Sequence, residues 1–259
     1  MSNDDAATQV ELSFDSDIAQ IIISFPERRN PIGTETAARL TERLLEAEAN
    51  PQARVVILAG AGSAFSSGGD LREFLSTTTS APTEHWQSGE PWAQLYRTLA
   101  RLSKPTICRV QGPALAGGCG VVASCDFVIA SDSASFGTPE IKIGLFPLFI
   151  LPSLVRAVGR RSALDLALTG RIISAREAAA MGLVTRVVPE ADLDTEVEGL
   201  AKQLAAIGPL TMSMGKHAFN EIIELDFDRG IEAARAMRVA FMGSPELRAG
   251  IEKFLSKRR

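Results

Sequence analysis

Histidine, cysteine and surplus positive charge are all scarce in this chain of 259 residues. Its two histidines, His85 and His217, have no cysteine or carboxylate nearby at metal-ligand spacing, so no zinc-type cluster and no paired histidine base is visible. The three cysteines, Cys108, Cys119 and Cys125, are an odd number without metal spacing and point to reduced thiols in a cytosolic protein. A formal net charge of −4 argues against a general nucleic-acid binder, although the stretch from Lys253 to Arg259 is locally basic. No apolar run is long enough to span a bilayer. The opening MSNDDAATQV has neither the apolar core of a secretory signal nor the Arg-rich pattern of a transit peptide. The expected setting is therefore the cytoplasm, away from membranes and nucleic acid. Ser66 and Ser67 lack a Gly-x-Ser-x-Gly elbow, which leaves a serine-hydrolase reading weak.

What the chain does have is 46% hydrophobic residues, enough for a substantial core, in an α/β order of elements. Residues 9–14 and 18–25 read as paired strands, Thr34 to Asn50 as a helix with Leu40, Leu44, Leu45 and Ala47 on one side, and Arg54 to Ala59 as a buried strand. Lys104 to Gln111 is β-branched and reads as another. The polar segment 76–89 reads as a mobile connection, either a lid over a site or a surface loop. Beyond Pro152 the pattern is helical almost throughout, interrupted by one short strand at 183–188. Helices so rich in Ala, Leu and Ile expose more apolar face than the domain can cover, which predicts a subunit interface.

Two glycine turns stand out. Strand 54–59 runs into GAGSAFSSGGDLRE, where Asp70 and Glu73 are spaced as an acidic capping box and leave the Gly69 N–H free to point elsewhere. Strand 104–111 runs into GPALAGGCG, where Gly117 opens a helix. The first turn of a helix carries N–H groups without intrahelical partners, and glycine lets an oxygen approach them closely. Gly69 and Gly117 could thus converge on one carbonyl oxygen as an oxyanion hole. Glu140 follows Phe136-Gly-Thr-Pro139 and is flanked by Ile141, Ile143 and Leu145, apolar surroundings that raise a carboxyl's pKa and suit it to carrying protons near neutrality. Its bland alternative is a surface glutamate after a proline turn.

The run Gly118-Cys-Gly120-Val-Val-Ala123 also satisfies the dinucleotide fingerprint. It does not open a first βαβ unit, and the acid at the right distance, Glu140, ends no strand, so a dehydrogenase is disfavoured.

The motifs AFSSGGDLREF, PALAGGCG, FGTPEIKIGLFP and ALTGRIISAREAAAMGLVTRVV, in this order and spacing, resemble the crotonase (enoyl-CoA hydratase/isomerase) superfamily over nearly the whole chain. The resemblance implies a crotonase-like spiral of β-β-α units over residues 1–195, carrying an acyl-CoA site. It implies a C-terminal helical oligomerisation region over 196–259 that builds a trimer, often paired into a hexamer. It places a catalytic glutamate at Glu140 and oxyanion donors at Gly69 and Gly117. It assigns coenzyme A contacts to Arg28, Ala64, Asp70 and Leu71, and, lent by a neighbouring subunit, to Phe254 and Lys257, whose alternative is a solvated basic tail. Coenzyme A enters as part of the substrate, with neither metal nor redox cofactor. Two departures matter. Gly120 stands where hydratases carry a second glutamate, and Leu148 where some members carry an aspartate. A single carboxylate suits enoyl-CoA isomerisation. Hydration with one glutamate, other enolate chemistry such as decarboxylation, and a non-catalytic acyl-CoA or partner-binding role are the alternatives.

Overall fold

The computed structural model describes residues 8–256, whose frame is a six-stranded sheet with its central strands buried on both faces. In chain order the elements are β1 (Gln9–Asp15), β2 (Ile18–Ser24), β3 (Pro31–Ile32), α1 (Thr34–Ala49), β4 (Val55–Gly60), β5 (Gly68–Gly69), α2 (Leu71–Thr77) and α3 (Pro82–Ser88). There follow α4 (Glu90–Arg101), β6 (Thr106–Val110), β7 (Ala114–Leu115), α5 (Gly117–Ala123), β8 (Phe127–Ser131) and β9 (Ser135–Gly137). The rest comprises α6 (Leu151–Thr169), β10 (Ile172–Ser174), α7 (Ala175–Met181), β11 (Arg186–Val188), α8 (Leu193–Ala205), α9 (Pro209–Ile222), α10 (Phe227–Met242) and α11 (Pro245–Ser256).

The main sheet runs β1-β2-β4-β6-β8-β11, parallel except for the β1–β2 hairpin. Its central strands show why a continuous apolar run signals a sheet covered on two sides. Val56 and Leu58 of β4, Cys108 and Val110 of β6, and Val128 and Ala130 of β8 enter one core with α1, α4 and α5. Their alternates Val55, Ile57, Ile107 and Ile129 enter a second core closed by Leu193, Val197, Leu200 and Leu204 of α8. A three-stranded sheet, β10-β9-β7, and a two-stranded one, β3-β5, stack beside the main sheet. Each successive turn of chain thus contributes one strand to the main sheet and shorter strands to the minor ones.

The segment read as a mobile connection is largely helical, since α2 reaches Thr77 and α3 occupies Pro82–Ser88. Proline at the first helical position and Glu84, whose Oε2 accepts the Ala81 N–H at 3.1 Å, start α3 without an apolar face. The Asp70–Glu73 box is likewise corrected. Asp70 caps α2 by accepting the Arg72 N–H at 3.0 Å, while Glu73 reaches 39 residues back to accept the Thr34 N–H at 3.1 and 2.9 Å, capping α1. The cysteines are free thiols, and those of Cys108 and Cys125 share a hydrogen bond of 3.3 Å.

Two side-chain amides hold the loop between β4 and β5. Asn30, wholly buried and at φ 55°, donates from Nδ2 to the carbonyls of Ala61 and Ala64 at 2.8 Å each and accepts the Phe25 N–H at 2.8 Å. Gln111 donates from Nε2 to Gly60, Gly62 and Ala64 carbonyls at 2.8, 3.0 and 2.9 Å. The loop's carbonyls therefore point inward. Asn30→Ala strands these groups without partners and puts alanine in a left-handed conformation. It should lower unfolding free energy by about 3 kcal/mol in urea titration, and a loss below about 0.5 kcal/mol would contradict this role.

Candidate active site

Both glycine turns meet at one place, and the backbone hydrogen bonds say which N–H groups are spare. Asp70 donates its N–H to the Ile32 carbonyl at 3.2 Å, so in the parallel β3–β5 register the N–H of Gly69, one residue back, faces the opposite way. The second turn packs on the first. Leu115 donates to the Ser66 carbonyl at 3.0 Å, and a Cβ on Gly68 would stand 2.8 Å from the Leu115 carbonyl oxygen. Ala116, the residue before α5, sits at φ 48° and is held there by its N–H to the Gly137 carbonyl at 2.8 Å. Such a conformation costs an alanine roughly 1–3 kcal/mol and is characteristic of functional turns. It presents the Gly117 N–H at the first position of α5, before the intrahelical ladder begins.

The contact that fixes Ala116 also brings in Glu140. Leu115 pairs with Gly137 in the β7–β9 ladder, and Glu140 lies three residues beyond in a 3-10 turn, Pro139–Ile143. The Glu140 carbonyl accepts the Leu145 N–H at 3.1 Å, closing the turn. Burial pushes the Glu140 carboxyl above its ordinary value of 4.5, opposed by its own backbone N–H. Its Oε2 is buried without a hydrogen-bond partner, as is Thr138 Oγ1 two residues earlier. The Glu140 charge is felt at the Tyr96 hydroxyl and at Cys119, whose thiol burial pushes up to about 12. A desolvated carboxyl can accept a proton from a carbon acid, and N–H groups left spare at a glycine turn can stabilise an oxyanion.

The family profile described as enoyl-CoA hydratase/isomerase matches residues 13–259. The chain belongs to the enoyl-CoA hydratase/isomerase family. It is 34% identical over 242 residues to the rat mitochondrial enoyl-CoA hydratase domain-containing protein 3, covering 93% of this chain and 80% of that one. The structure is similar to an enoyl-CoA hydratase of Mycobacterium smegmatis, with a TM-score of 0.92, 31% identity, and coverage of 96% of this chain and 97% of the other. It is also similar to human enoyl-CoA hydratase domain-containing protein 3, with a TM-score of 0.91, 32% identity, and coverage of 96% and 98%. The crotonase architecture expected from the motifs is thus present.

Within this crotonase fold the expected coenzyme A residues fall into two groups. Arg28 and Asp70 are brought together across 42 residues: Arg28 Nη2 donates to both Asp70 oxygens, at 2.9 and 3.1 Å, and its guanidinium lies 5.5 Å from the centre of the Phe25 ring. Leu71 follows, exposed at the start of α2. Ala64 is buried and its carbonyl already accepts from both Asn30 and Gln111, leaving its N–H to offer. Phe254 is exposed on α11, and Lys257 lies outside the described residues.

Sequence reasoning missed Asn30 and Gln111, which aim the turn, and Tyr96, whose hydroxyl donates to the Gly117 carbonyl at 3.1 Å. Gly118 and Gly120, which satisfy the disfavoured dinucleotide pattern, have another use. Both are used for packing, since a Cβ on Gly118 would meet Ser66 at 2.7 Å and one on Gly120 would meet Ile150 and Tyr96 within 3 Å.

The raised pKa of Glu140 gives a signed prediction. A carboxyl with a raised folded-state pKa carries no penalty below its unfolded value and loses stability as pH rises through the folded one. Thermal unfolding of wild type and Glu140→Gln should therefore diverge above about pH 4.5, the wild type losing Tm relative to the variant as pH rises. Parallel Tm curves from acid to neutral pH would show that Glu140 is not desolvated.

Proposed function

We propose that this protein is an acyl-CoA enzyme that shifts the double bond of a 3-enoyl-CoA into conjugation with the thioester, using Glu140 as its single acid–base group. The observation carrying this reading is the solitary desolvated carboxyl beside two glycine turns, with glycine at 120. The thioester oxygen binds the N–H groups of Gly69 and Gly117. Glu140 takes a proton from C2, the electron pair delocalises over the thioester and the alkene as a dienolate, and the same carboxyl returns the proton at C4. Each oxyanion donor is worth about 3–4 kcal/mol in the transition state. This proton traffic requires neither a metal nor a redox cofactor, and coenzyme A leaves with the product.

Arg28, Ala64, Asp70 and Leu71 form the near wall for coenzyme A, and Phe254 and Lys257 of an adjoining subunit the far one. Apolar residues left exposed on the last three helices, Phe219, Phe227, Val239 and Phe254 among them, support a homotrimer or a hexamer built from it. Among the described residues no helix is long and apolar enough to cross a membrane. A cytoplasmic location completes the reading.

A second reading, hydration of a 2-enoyl-CoA with Glu140 alone activating water, is favoured by the hydratase names of the relatives. Turnover of 3-enoyl-CoA and 2-enoyl-CoA, followed side by side through the absorbance of the conjugated thioester, separates the two. Gain of absorbance from the 3-enoyl substrate supports isomerisation. Loss from the 2-enoyl substrate, without such a gain, supports hydration. Glu140→Gln should reduce kcat at least about 100-fold while CoA-ester binding stays within a few fold. Retained turnover in that variant would remove Glu140 from the mechanism.

A further inference from the structure

Gly117 and Gly120 lie one turn apart on the face of α5 that meets α4. A Cβ on Gly117 would stand 2.8 Å from the Trp92 ring, and Trp92 stacks on Tyr96 with ring centres 6.3 Å apart. A Cβ on Gly120 would stand 2.7 Å from Ile150 Cβ, closer still to its Cγ2, and 2.8 Å from the Tyr96 hydroxyl. Ile150, 3% exposed, is fixed by its place immediately before α6, where its carbonyl accepts the Leu154 N–H at 2.9 Å. Ser124 Oγ to Ser153 Oγ, at 2.7 Å, clamps the far end of α5 to the same helix. Tyr96 is 7% exposed and its hydroxyl is tied to the Gly117 carbonyl. The volume beside Gly120 is thus filled by two side chains that cannot withdraw without breaking packing.

The helix that Ile150 precedes, α6, packs both on α5 and on the Pro139–Ile143 turn that carries Glu140, and the Glu140 charge acts on the Tyr96 hydroxyl. A side chain growing from position 120 would enter the filled volume. So would a water placed for attack on a carbon held above Glu140. We propose that Ile150 and Tyr96 are a specificity-determining wall, filling the space beside Gly120 and denying the pocket both a second acid–base side chain and a nucleophilic water. The inference rests on the one-carboxylate reading of the site. It adds the reason that the second group is absent: the position has been closed by packing as well as emptied by sequence. Tyr96 cannot serve as the missing base, because burial, with Cys119 and Glu140, holds its hydroxyl protonated far above neutrality.

The test has two arms. In the first, thermal unfolding is measured for Gly120→Ala, Ile150→Ala and the double variant. Gly120→Ala should lower Tm by overpacking, Ile150→Ala by leaving a cavity, and the double variant should recover several degrees relative to the sum of the two. Strict additivity would overturn the wall. In the second, Gly120→Glu combined with Ile150→Ala is assayed with 2-enoyl-CoA for the 3-hydroxyacyl-CoA product. The wall predicts hydration at least about 10-fold faster than in wild type, a step comparable to one well-placed proton carrier. A folded double variant that hydrates no faster than wild type would overturn it. Wild-type turnover in the same assays reports on the parent reading separately. A wild type inactive on 3-enoyl-CoA removes the isomerase while both arms still decide the wall.

Discussion

The inward pull of Asn30 and Gln111 on the carbonyls of residues 60–64 is the constraint on which the site depends. With the carbonyls of Gly60, Ala61, Gly62 and Ala64 taken by two buried side-chain amides, the loop is held as it runs into β5, where the Gly69 N–H faces away from β3. The second turn is fixed by an equivalent device, the Ala116 N–H on the Gly137 carbonyl. Spare backbone N–H groups, unlike side-chain donors, need no reorganisation to meet a negative charge. Their cost is met by the fold, in the positive φ of Asn30 and Ala116 and in the burial of polar groups that must all be matched.

Glu140 shows the complementary economy. Its carboxyl is kept partly out of water with one oxygen unpaired, a state that is unfavourable in the resting protein and favourable once a proton arrives. Packing around α5 is close: Trp92 stands against Gly117, Ser66 against Gly118, and Ile150 and Tyr96 against Gly120. The same glycines that permit close approach of a ligand on one side therefore permit close approach of aromatic and aliphatic side chains on the other.

Much of this was legible in the sequence because it depends on local pattern. The continuous apolar runs of the parallel strands, such as residues 55–59, announce the main sheet, and Glu140 is marked by its flanking isoleucines and the turn before it. What was not legible is non-local or too short to have a period. Strands of two or three residues, such as β3, β5 and β7, exist only because partners distant in sequence supply their hydrogen bonds. Glu73 resembles half of a capping box by spacing, yet its partner is Thr34, across 39 residues. Asn30 and Gln111 are ordinary polar residues until the fold closes around them. Segment 76–89 reads as a mobile connection because α3 buries nothing, so no apolar stripe betrays it.

The measurement that tests the central claim most directly is the fate of deuterium placed at C2 of a 3-enoyl-CoA during a single turnover in ordinary water. One carboxylate that takes the label from C2 and returns it at C4, in a pocket closed to water, predicts that part of the deuterium appears at C4 of the conjugated product. Complete loss of the label to solvent would mean that the carboxyl exchanges its proton with water before returning one at C4, and would contradict the account of a single shielded base.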